Sequence, residues 1–546
     1  MALTAACGGG SGDESGSDSD SDVADGWEDG GGADSDGSSS GSGNNGSGAG
    51  SGGPGTPPPT SGPAAVDCTH VGQGTDYQVG PGKAYENIGD VPFESLVAGD
   101  TVRIFWRDQP YHEKMMIGGV GTAEQPIRVC GVAGPDGQLP VIDGANATTR
   151  PQLDFPFDGH QVRGLVIVGH PHDRPYDEQT AHVVIEALEL TGAGPPNTFT
   201  DKSGAASAYT EPAAGIFVQR ADDVTVRGCD IHDNNNGIFM GTGSGQDATS
   251  RVLIEANRIY QNGSLTDWYE HNVYNEVHDV TYQFNYFGEP RAGQQGVLGA
   301  NIKERSSGVV IRYNWIEDGG HLIDLVDTQE AQADSATMPS FHESHVYGNI
   351  LVRNGTDKGS MVHYGGDSGE FQNYRKGTLF FYQNTLVVKN EGAHEYDAPE
   401  VFEISTNEES LEAVNNIFYS SSAPSELTPI CMLGEREGLT AGIATFSNNW
   451  VSTGWSPYDQ TPGNETNLTA EVNGLTSSLT GSDPGFTNAA DGDYTIVGGA
   501  PVVQAGTDLS SMIPEGLAAT LEYVKHQGAK SRKSESPPTM GAMSAP

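Results

Sequence analysis

The chain has 546 residues, with 73 acidic against 27 basic side chains, a formal net charge of −46 and 75 glycines. Nucleic-acid-binding proteins are excluded because phosphate binding needs clustered Lys and Arg, which this composition lacks. A wholly disordered chain is also excluded because apolar patterning persists from about Phe93 to Val503. No run of 18 apolar residues is present, so we expect no transmembrane helix.

The N-terminal region predicts a tether. Residues 8–66 are mostly Gly, Ser, Asp, Thr and Pro, with ten acidic and no basic side chains. Such a segment cannot bury enough surface to offset its ordering entropy, so we predict a disordered linker. The preceding residues 1–7 end in Leu3-Thr4-Ala5-Ala6-Cys7, which resembles a bacterial lipobox. This resemblance implies lipidation at Cys7, membrane contact only through that anchor, and an outer-membrane lipoprotein at the cell envelope or extracellular surface. A cytosolic acidic tail is the alternative.

The five cysteines do not form a metal-binding pattern. None lies in a Cys-x-x-Cys pair, which disfavours zinc and thioredoxin-type sites. In an exported protein Cys68 and Cys130 could form a disulfide near the start of the fold, and unlinked thiols are the alternative.

From residue 224 onward the chain repeats. The unit reads apolar-x-apolar-x-x-Asn-x-apolar, with intervals of 28 to 35 residues between its Asn positions. Those positions are Cys229, Asn257, Asn285, Asn314, Asn349, Asn384, Asn416 and Asn449. Of the 24 apolar positions that accompany them, only Ser344 departs from the pattern.

This repeat predicts the fold. Alternation before each Asn indicates a strand with one buried face, and the apolar residue two positions after it starts a second strand. We expect Asn to adopt the left-handed conformation of a corner and to bond its equivalent in the next coil. Since one unit cannot bury its own inner face, the units must stack. The sequence therefore predicts an all-β protein, a single-stranded right-handed parallel β-helix preceded by a disordered linker.

Segments at both ends resemble those of pectin-lyase-like β-helix proteins. The opening segment includes Val79-Gly80-Pro81-Gly82 and Val141-Ile142-Asp143-Gly144, and the closing one includes Asp483-Pro484-Gly485-Phe486. The resemblance implies a β-helix domain over residues 67–505, with regular rungs at 224–455. It also implies a C-terminal closing segment and tail over 506–546.

Outward-facing charged residues on successive rungs indicate a candidate site at 267–327. Tyr274 lies six residues before Val280 and Lys303 six before Val309, so the two should be neighbours on adjacent rungs. Taking Leu298, Ala300 and Ile302 as inward places Asn301, Lys303 and Arg305 outside. The same register places Glu276 beside Arg305, and the following strand, residues 321–327, could bring Asp324 next to them.

These residue types suit β-elimination on a uronate-containing polysaccharide. The developing enolate needs a nearby cation, and a base must remove the proton α to the carboxylate. We assign Lys303 as base, Arg305 as carboxylate clamp, and Tyr274 or His271 as acid. The competing interpretation is structural, with Arg305 paired to Glu276 or Glu304 and Lys303 solvated.

The region also resembles a family of bacterial right-handed β-helix repeat proteins. The shared segments are His271-Asn272-Val273-Tyr274, Lys303-Glu304-Arg305-Ser306, Tyr313-Asn314, Asp324-Leu325 and Tyr364-Gly365-Gly366. A looser similarity connects the chain to alginate and chondroitin lyases, whose Asn-Lys-Ser and Leu-Arg-His segments are absent here. We predict substrate contacts from Asn272, Asn301, Arg312, Asp324, His363 and Tyr364.

The cofactor and partner expectations follow from this charge pattern. No cofactor is required by the sequence, and calcium bound by Asp324, Asp327 and Glu276 is the one ion considered. We expect a monomer that binds a polysaccharide and no nucleic acid. A non-catalytic glycan-binding or adhesin-like lipoprotein is the main alternative function, and a glycoside hydrolase or uronate epimerase on the same fold is a further one.

Overall fold

The computed structural model describes residues 61–546, except 64, 157, 244–247, 293–298, 332–334, 355–358, 390–399, 425–429, 435–439 and 459–467. Residues 1–60, with the predicted lipidation site Cys7 and most of the predicted linker, lie outside the described part, as does Leu298. Within it, no helix is long and apolar enough to cross a membrane.

Three long parallel sheets form the body of the molecule. The described strands of sheet 1 are Asp76–Val79, Thr101–Phe105, Ile127–Val132, Thr180–Glu186, Ala221–Arg227, Ser250–Glu255, His278–Gln283, Val310–Arg312, Glu343–Tyr347, Thr378–Tyr382, Ser410–Val414, Ile443–Ser447 and Glu471–Asn473. Those of sheet 2 are Met115–Ile117, Gly164–Gly169, Ala214–Gln219, Asn236–Gly241, Val273–Asn275, Ile302–Glu304, Ile323–Leu325, Val362–Tyr364, Glu400–Ile404, Cys431–Leu433 and Ser456–Tyr458. Those of sheet 3 are Val141–Asp143, Glu189–Thr191, Asp230–His232, Arg258–Tyr260, Tyr286–Phe287, Trp315–Glu317, Ile350–Asn354, Thr385–Lys389, Ile417–Ser420, Trp450–Ser452 and Leu479–Gly481.

Shorter elements decorate this body. Antiparallel hairpins pair Thr198–Thr200 with Ala206–Ala208, Phe486–Asn488 with Asp493–Ile496, and Leu521–Val524 with Gly528–Ser531. The 3₁₀ helices are Ile88–Asp90, Phe93–Ser95, Asp158–Val162, Pro339–His342, Phe371–Asn373, Leu475–Ser477, Ala489–Asp491 and Glu515–Leu517.

Each turn of the coil visits sheets 1, 3 and 2 in that order. The turn that starts at Ala221–Arg227 continues through Asp230–His232 and Asn236–Gly241 before the chain returns to sheet 1 at Ser250–Glu255. Strands that are neighbours in a sheet come from successive turns and run parallel. The right-handed parallel β-helix predicted from the repeat is therefore confirmed, and all 24 repeat positions, including Ser344, are buried.

The repeated Asn residues form a continuous ladder at the corner between sheets 1 and 3. Each Asn Oδ1 accepts the backbone N–H of the preceding ladder residue at 2.8–3.0 Å. Each Asn Nδ2 from Asn257 to Asn416 also donates to the Oδ1 of the next Asn at 3.0–3.3 Å. The predicted bonding between equivalent amides is thus present over seven consecutive Asn residues.

The left-handed conformation belongs to a different position from the one expected. It is the residue just before each ladder position that has a positive φ, between 50° and 66°. These residues are Gly228, Ala256, Phe284, Tyr313, Gly348, Gln383, Asn415 and Asn448. Asn at the corner therefore acts through its side-chain amide, and the left-handed position before it holds Gly, Ala, Phe, Tyr, Gln or Asn.

Two segments outside the regular coil are tied to it. A disulfide joins Cys68 to Cys130, tying the first described residues to the sheet 1 strand Ile127–Val132. Residues 506–546, here called the C-terminal strap, run back over the outside of the coil. Tyr382 Oη donates to the Leu517 carbonyl at 2.7 Å, and Gln527 Nε2 reaches the Ala256 carbonyl at 2.8 Å.

Candidate functional site

A row of ionisable side chains crosses the outer face of sheet 2. Tyr274, Lys303, Asp324, His363 and Glu403 are register partners on five successive strands. The residues beside them in each strand, such as Ile302 and Ile323, face the core, so alternation along the strand turns this row outward. Counting along the repeat placed Tyr274 beside Lys303, and the following strand was expected to bring Asp324 next to them; the structure brings these three together.

Lys303 and Arg305 converge on one carboxylate that the sequence analysis missed, that of Asp367. Lys303 Nζ contacts Asp367 and lies 2.8 Å from Asp324 Oδ2. Arg305 Nη1 and Nη2 lie 3.2 and 3.4 Å from the two Asp367 oxygens, and Nη1 also donates to the Asp327 carbonyl at 2.8 Å. Both cations are buried, and the Asp367 side chain, on the loop after Val362–Tyr364, is only 9% exposed.

This pairing changes the role that Lys303 can take. Burial by itself lowers the pKa of Lys303, but Asp324 and Asp367 outweigh it and raise the pKa above its usual value. Arg305 behaves in the same way, with its pKa raised by Asp367, Tyr274 and Asp327. Lys303 therefore remains an ammonium and does not fit the assignment as base.

Tyr274 and His271 lie at one side of the two cations. The Tyr274 ring stacks on Phe239 at 4.8 Å, its Oη accepts from Arg305 Nε at 3.1 Å, and it donates to Gln329 Oε1 at 3.3 Å. His271 Nδ1 accepts the Ala300 N–H at 2.9 Å, so the ring proton resides on Nε2. Burial, together with Lys303, lowers the pKa of His271 to about 3, which keeps the imidazole neutral.

The other side of the row contains a polar network that the sequence analysis found only in part. His363 Nδ1 lies 2.8 Å from Asp324 Oδ1, and its Nε2 lies 3.0 Å from Ser405 Oγ. His321 Nδ1 lies 2.8 Å from the Ser360 carbonyl. Ser405, Asp367 and Glu403 were missed because loops of unequal length separate these strands, so no constant interval relates them. His321 was missed because nothing in the sequence indicates that a side chain three residues before Asp324 lies beside it.

The three carboxylates predicted to bind calcium are engaged separately. Glu276 accepts the backbone N–H groups of residues 329–331 and the Thr328 hydroxyl, all within 3.1 Å. Asp327 Oδ1 accepts the Asp367 N–H at 2.9 Å, while Asp324 faces Lys303 and His363. Glu276 thus orders the loop that covers Tyr274, and the three carboxylates do not share one cation position.

Two predicted substrate contacts, Asn272 and Asn301, are instead structural. Both are fully buried in a second amide ladder, in which Asn272 Nδ2 donates to Asn301 Oδ1 at 2.6 Å. Asn262 Nδ2 in turn donates to Asn272 Oδ1 at 3.0 Å. The intervals along this second ladder are irregular, so its members could not be recognised by counting.

Two further predicted contacts, Arg312 and Tyr364, lie away from the row. Arg312 is buried on sheet 1, where its Nε donates to Gln283 Oε1 at 2.9 Å and its Nη1 reaches Tyr347 Oη at 3.2 Å. Tyr364 follows His363 in its strand and therefore points into the core, where it is fully buried. Of the six predicted substrate contacts, only Asp324 and His363 lie in the row.

Comparison with known proteins agrees with this architecture. Residues 197–386 match a family model described as the right handed beta helix region, and no curated protein matches the chain. The solved structure of pectate lyase Pel9A is 11% identical, with a TM-score of 0.44 over 87% of this chain and 97% of that one. An alginate lyase from Paenibacillus sp. is 12% identical, with a TM-score of 0.37 over 70% and 95% of the two chains. A lacto-N-biosidase from Eubacterium ramulus is 10% identical, with a TM-score of 0.36 over 73% and 68%. The family-model match over residues 197–386 agrees with the right-handed β-helix that the sequence predicted.

Proposed function

We propose that the outer face of sheet 2 binds an acidic, uronate-containing polysaccharide and cleaves it by β-elimination. The observation that carries this proposal is the cradle that Lys303 and Arg305 form around the Asp367 carboxylate. A site that holds a carboxylate through an ammonium and both terminal nitrogens of a guanidinium suits the carboxylate of a uronate. In the proposed complex a uronate takes the position that Asp367 occupies.

The cradle supplies two fixed positive charges, which β-elimination needs at the substrate carboxylate. Removal of the C5 proton places negative charge on the substrate carboxylate, and fixed cations at that point stabilise the transition state. Lys303 and Arg305 are held by buried carboxylates, so they need no reorganisation as the charge develops. Both residues therefore act as the clamp, a role that the sequence analysis gave to Arg305 alone.

Tyr274 is the group that we assign to proton transfer. Its phenolate takes the C5 proton, the C4–C5 double bond forms, and the C4–O bond breaks. The phenol then returns the proton to the departing oxygen, so atoms and charge balance. Arg305 Nε, 3.1 Å from Tyr274 Oη, stabilises the phenolate, and the neighbouring His271 can donate its Nε2 proton to a sugar oxygen.

A screen for turnover tests the proposal. Incubation with alginate, pectate and glycosaminoglycans should give an unsaturated product, detected by its ultraviolet absorbance. Lys303→Ala and Tyr274→Phe should each lower kcat by about 10²–10³-fold, the cost of removing one preorganised group. Lys83→Ala, at an exposed lysine remote in sequence from the row, serves as the matched control and should keep full activity. Absence of product on every polymer, or full activity in Lys303→Ala, contradicts the proposal.

The assignment of Tyr274 also predicts a pH profile. Burial raises the pKa of the Tyr274 phenol; Arg305 and Lys303 lower it, and Glu330 and Glu276 raise it further. Because the net pKa lies above that of a free tyrosine, the reactive phenolate is scarce at neutral pH. We expect kcat to rise about tenfold per pH unit from pH 7 to 9, and a flat profile would remove Tyr274 from this role.

Glycan binding without cleavage is the second candidate function. It is favoured by the fact that Asp324, Asp327 and Asp367 already neutralise both cations. Binding of a polyuronate by calorimetry without any unsaturated product would support this alternative. If Lys303→Ala/Arg305→Ala still binds the polyuronate, the glycan binds to a surface other than the outer face of sheet 2.

The cellular setting is part of the same proposal. We propose that a lipid on Cys7 and the acidic linker tether the domain, as a monomer, to the outer surface of the cell envelope. Mass spectrometry of the N-terminal peptide from membranes should show an acylated Cys7, and Cys7→Ser should release the protein to the soluble fraction.

A further inference from the structure

Two imidazoles and a carboxylate lie together at the end of the ionisable row. His321, Asp324 and His363 offer one ligand atom each, and these atoms lie within 4.8 Å of one another. Asp324 and His363 are register partners on adjacent strands, and His321 lies three residues before Asp324. We propose that these three residues bind one divalent first-row transition-metal ion. This proposal does not depend on the proposed polysaccharide function.

Hydrogen bonds orient His321 as a ligand. Its Nδ1 lies 2.8 Å from the Ser360 carbonyl, which can only accept, so Nδ1 carries the proton. The Nε2 lone pair is then available to a metal. A backbone carbonyl that holds the far nitrogen of an imidazole is the usual outer-shell partner of a metal-binding histidine.

His363 is oriented by a second network. Ser405 Oγ donates to the Gly366 carbonyl at 2.9 Å, so it is an acceptor for His363 Nε2 at 3.0 Å. Glu403 Oε1 also faces this nitrogen at 3.7 Å. The proton on Nε2 leaves the Nδ1 lone pair directed at Asp324 Oδ1, 2.8 Å away. Two acceptors this close need a cation between them, and a metal about 2.0–2.2 Å from each atom fits that separation with the two ligands near a right angle.

The charge balance of the row points the same way. Lys303 and Arg305 supply two positive charges, whereas Asp324, Asp327, Asp367 and Glu403 supply four negative ones. This excess of negative charge, to which Glu276 near Arg305 adds, suits a divalent ion. Two histidines and one carboxylate select a transition ion such as Zn²⁺, Co²⁺ or Fe²⁺ over Ca²⁺, which prefers six to eight oxygen ligands.

Metal binding by the full chain tests this inference without any substrate. Protein stripped with a chelator and dialysed against Zn²⁺ should retain one equivalent by elemental analysis, and Co²⁺ should produce visible absorption bands. His363→Asn and the half-buried His321→Gln should each lower the affinity at least tenfold, the usual cost of losing a ligand or its partner. His112→Gln, at an exposed imidazole, is the matched control and should bind like wild type.

The outcomes separate this site from the proposed reaction. No retained Zn²⁺ and no Co²⁺ bands would show that a proton, rather than a metal, lies between His363 and Asp324, and would overturn the inference. Equal binding by wild type and both histidine variants would overturn it as well. If either variant loses its native circular dichroism, Asp324→Asn, which preserves the side-chain shape, is used in its place. This variant should also lower the metal affinity at least tenfold. Metal binding without turnover on any polymer would support this inference while contradicting the proposed function.

Discussion

At the scale of single residues, the ladder amides carry a large share of the specificity of the fold. Asn314 Oδ1 accepts from both Asn285 N and Asn285 Nδ2 at 3.0 Å. Its Nδ2 donates to the Tyr282 and Arg312 carbonyls and to Asn349. Few other side chains satisfy five buried groups at one corner, which accounts for the regular recurrence of Asn.

Replacing that amide should be costly. Asn314→Ala leaves the buried Asn285 N–H without its acceptor, at about 1–3 kcal/mol, and leaves Asn285 Nδ2 with the Ile254 carbonyl in place of two acceptors. We expect the free energy of unfolding in urea to fall by about 3 kcal/mol. The control Asn473→Ala, at an exposed position in Glu471–Asn473, should change stability by less than about 0.5 kcal/mol. Equal effects of the two substitutions would contradict the role given to the ladder.

A second residue-scale prediction concerns His232 on sheet 3. Burial by itself lowers the pKa of His232, but Glu189 at 3.3 Å and Asp233 at 2.8 Å raise it to about 9. Since the folded pKa exceeds the unfolded value of about 6.5, the stabilisation is complete below about pH 6.5. It is lost as the pH rises through about 9.

Urea unfolding at several pH values tests whether the free energy of unfolding falls as the pH rises. Allowing for solvent screening of a partly exposed pair, wild type should lose about 1–2 kcal/mol between pH 6 and pH 10 through this group. His232→Gln should remove that part of the slope. An unchanged slope in His232→Gln would mean that the contacts of His232 do not couple to folding.

At the scale of elements, the spacing of the repeat decides which strands and which site residues could be predicted from the sequence. Strands on either side of the Asn corner were predictable because the chain between them has constant length. Tyr274 and Lys303 could be placed together because each lies 11 residues before its corner Asn, and Asp324 was placed beside them only because its strand follows in the chain. Asp367 and Glu403 could not, since the loops between sheet 2 and sheet 1 vary in length and hide the register.

The alternation of inward and outward residues also could not reveal which outward residues are buried by neighbouring chain segments. Asn301 alternates correctly for an exposed position, yet its Nδ2 donates to the Glu317 and Asp318 carbonyls at 2.7 and 2.6 Å. Such bonds depend on where the sheet 3 strand of the next turn, Trp315–Glu317, ends. Burial of a polar residue at a corner is therefore a tertiary property that alternation does not encode.

The disulfide that ties the N-terminal segment to sheet 1 should contribute to the stability of the fold. The disulfide between Cys68 and Cys130 closes a loop with a sequence separation of 62. Cys68→Ser/Cys130→Ser should lower the free energy of unfolding by about 4 kcal/mol, because the unfolded chain regains loop entropy. The measurement is urea unfolding of both proteins without reductant. Cys229→Ser, at a buried free thiol, is the comparison that separates loss of the crosslink from loss of a buried sulfur.

At the scale of the whole molecule, the C-terminal strap changes how the coil is held together. In a solenoid each rung contacts only its neighbours, so stability is a sum of local terms. The strap bonds to Ala256, Tyr313, Tyr382 and Asn415, which belong to widely separated rungs. It also covers an aromatic cluster that includes Tyr313, Tyr347 and Tyr382.

Loosening the strap should therefore affect many rungs together. Leu521 is buried against that cluster, and Leu521→Ala should lower the free energy of unfolding by about 2–5 kcal/mol. Limited proteolysis should then release the strap as the first fragment. Leu479→Ala, at a leucine that is 41% exposed on sheet 3, should leave both measurements close to wild type. Proteolysis that begins elsewhere in Leu521→Ala would argue against this docking.

The position of the strap in the chain bears on biosynthesis. A ribosome makes residues 506–546 after the rungs that they cover, and at roughly 5–20 residues per second they take roughly 2–8 s. During that interval the tyrosines from Tyr313 to Tyr382 have no cover, although their rungs are already translated. A nascent chain in this condition exposes apolar surface of the kind that chaperones bind. A premature stop codon at the start of the C-terminal strap would leave these tyrosines uncovered in the finished protein.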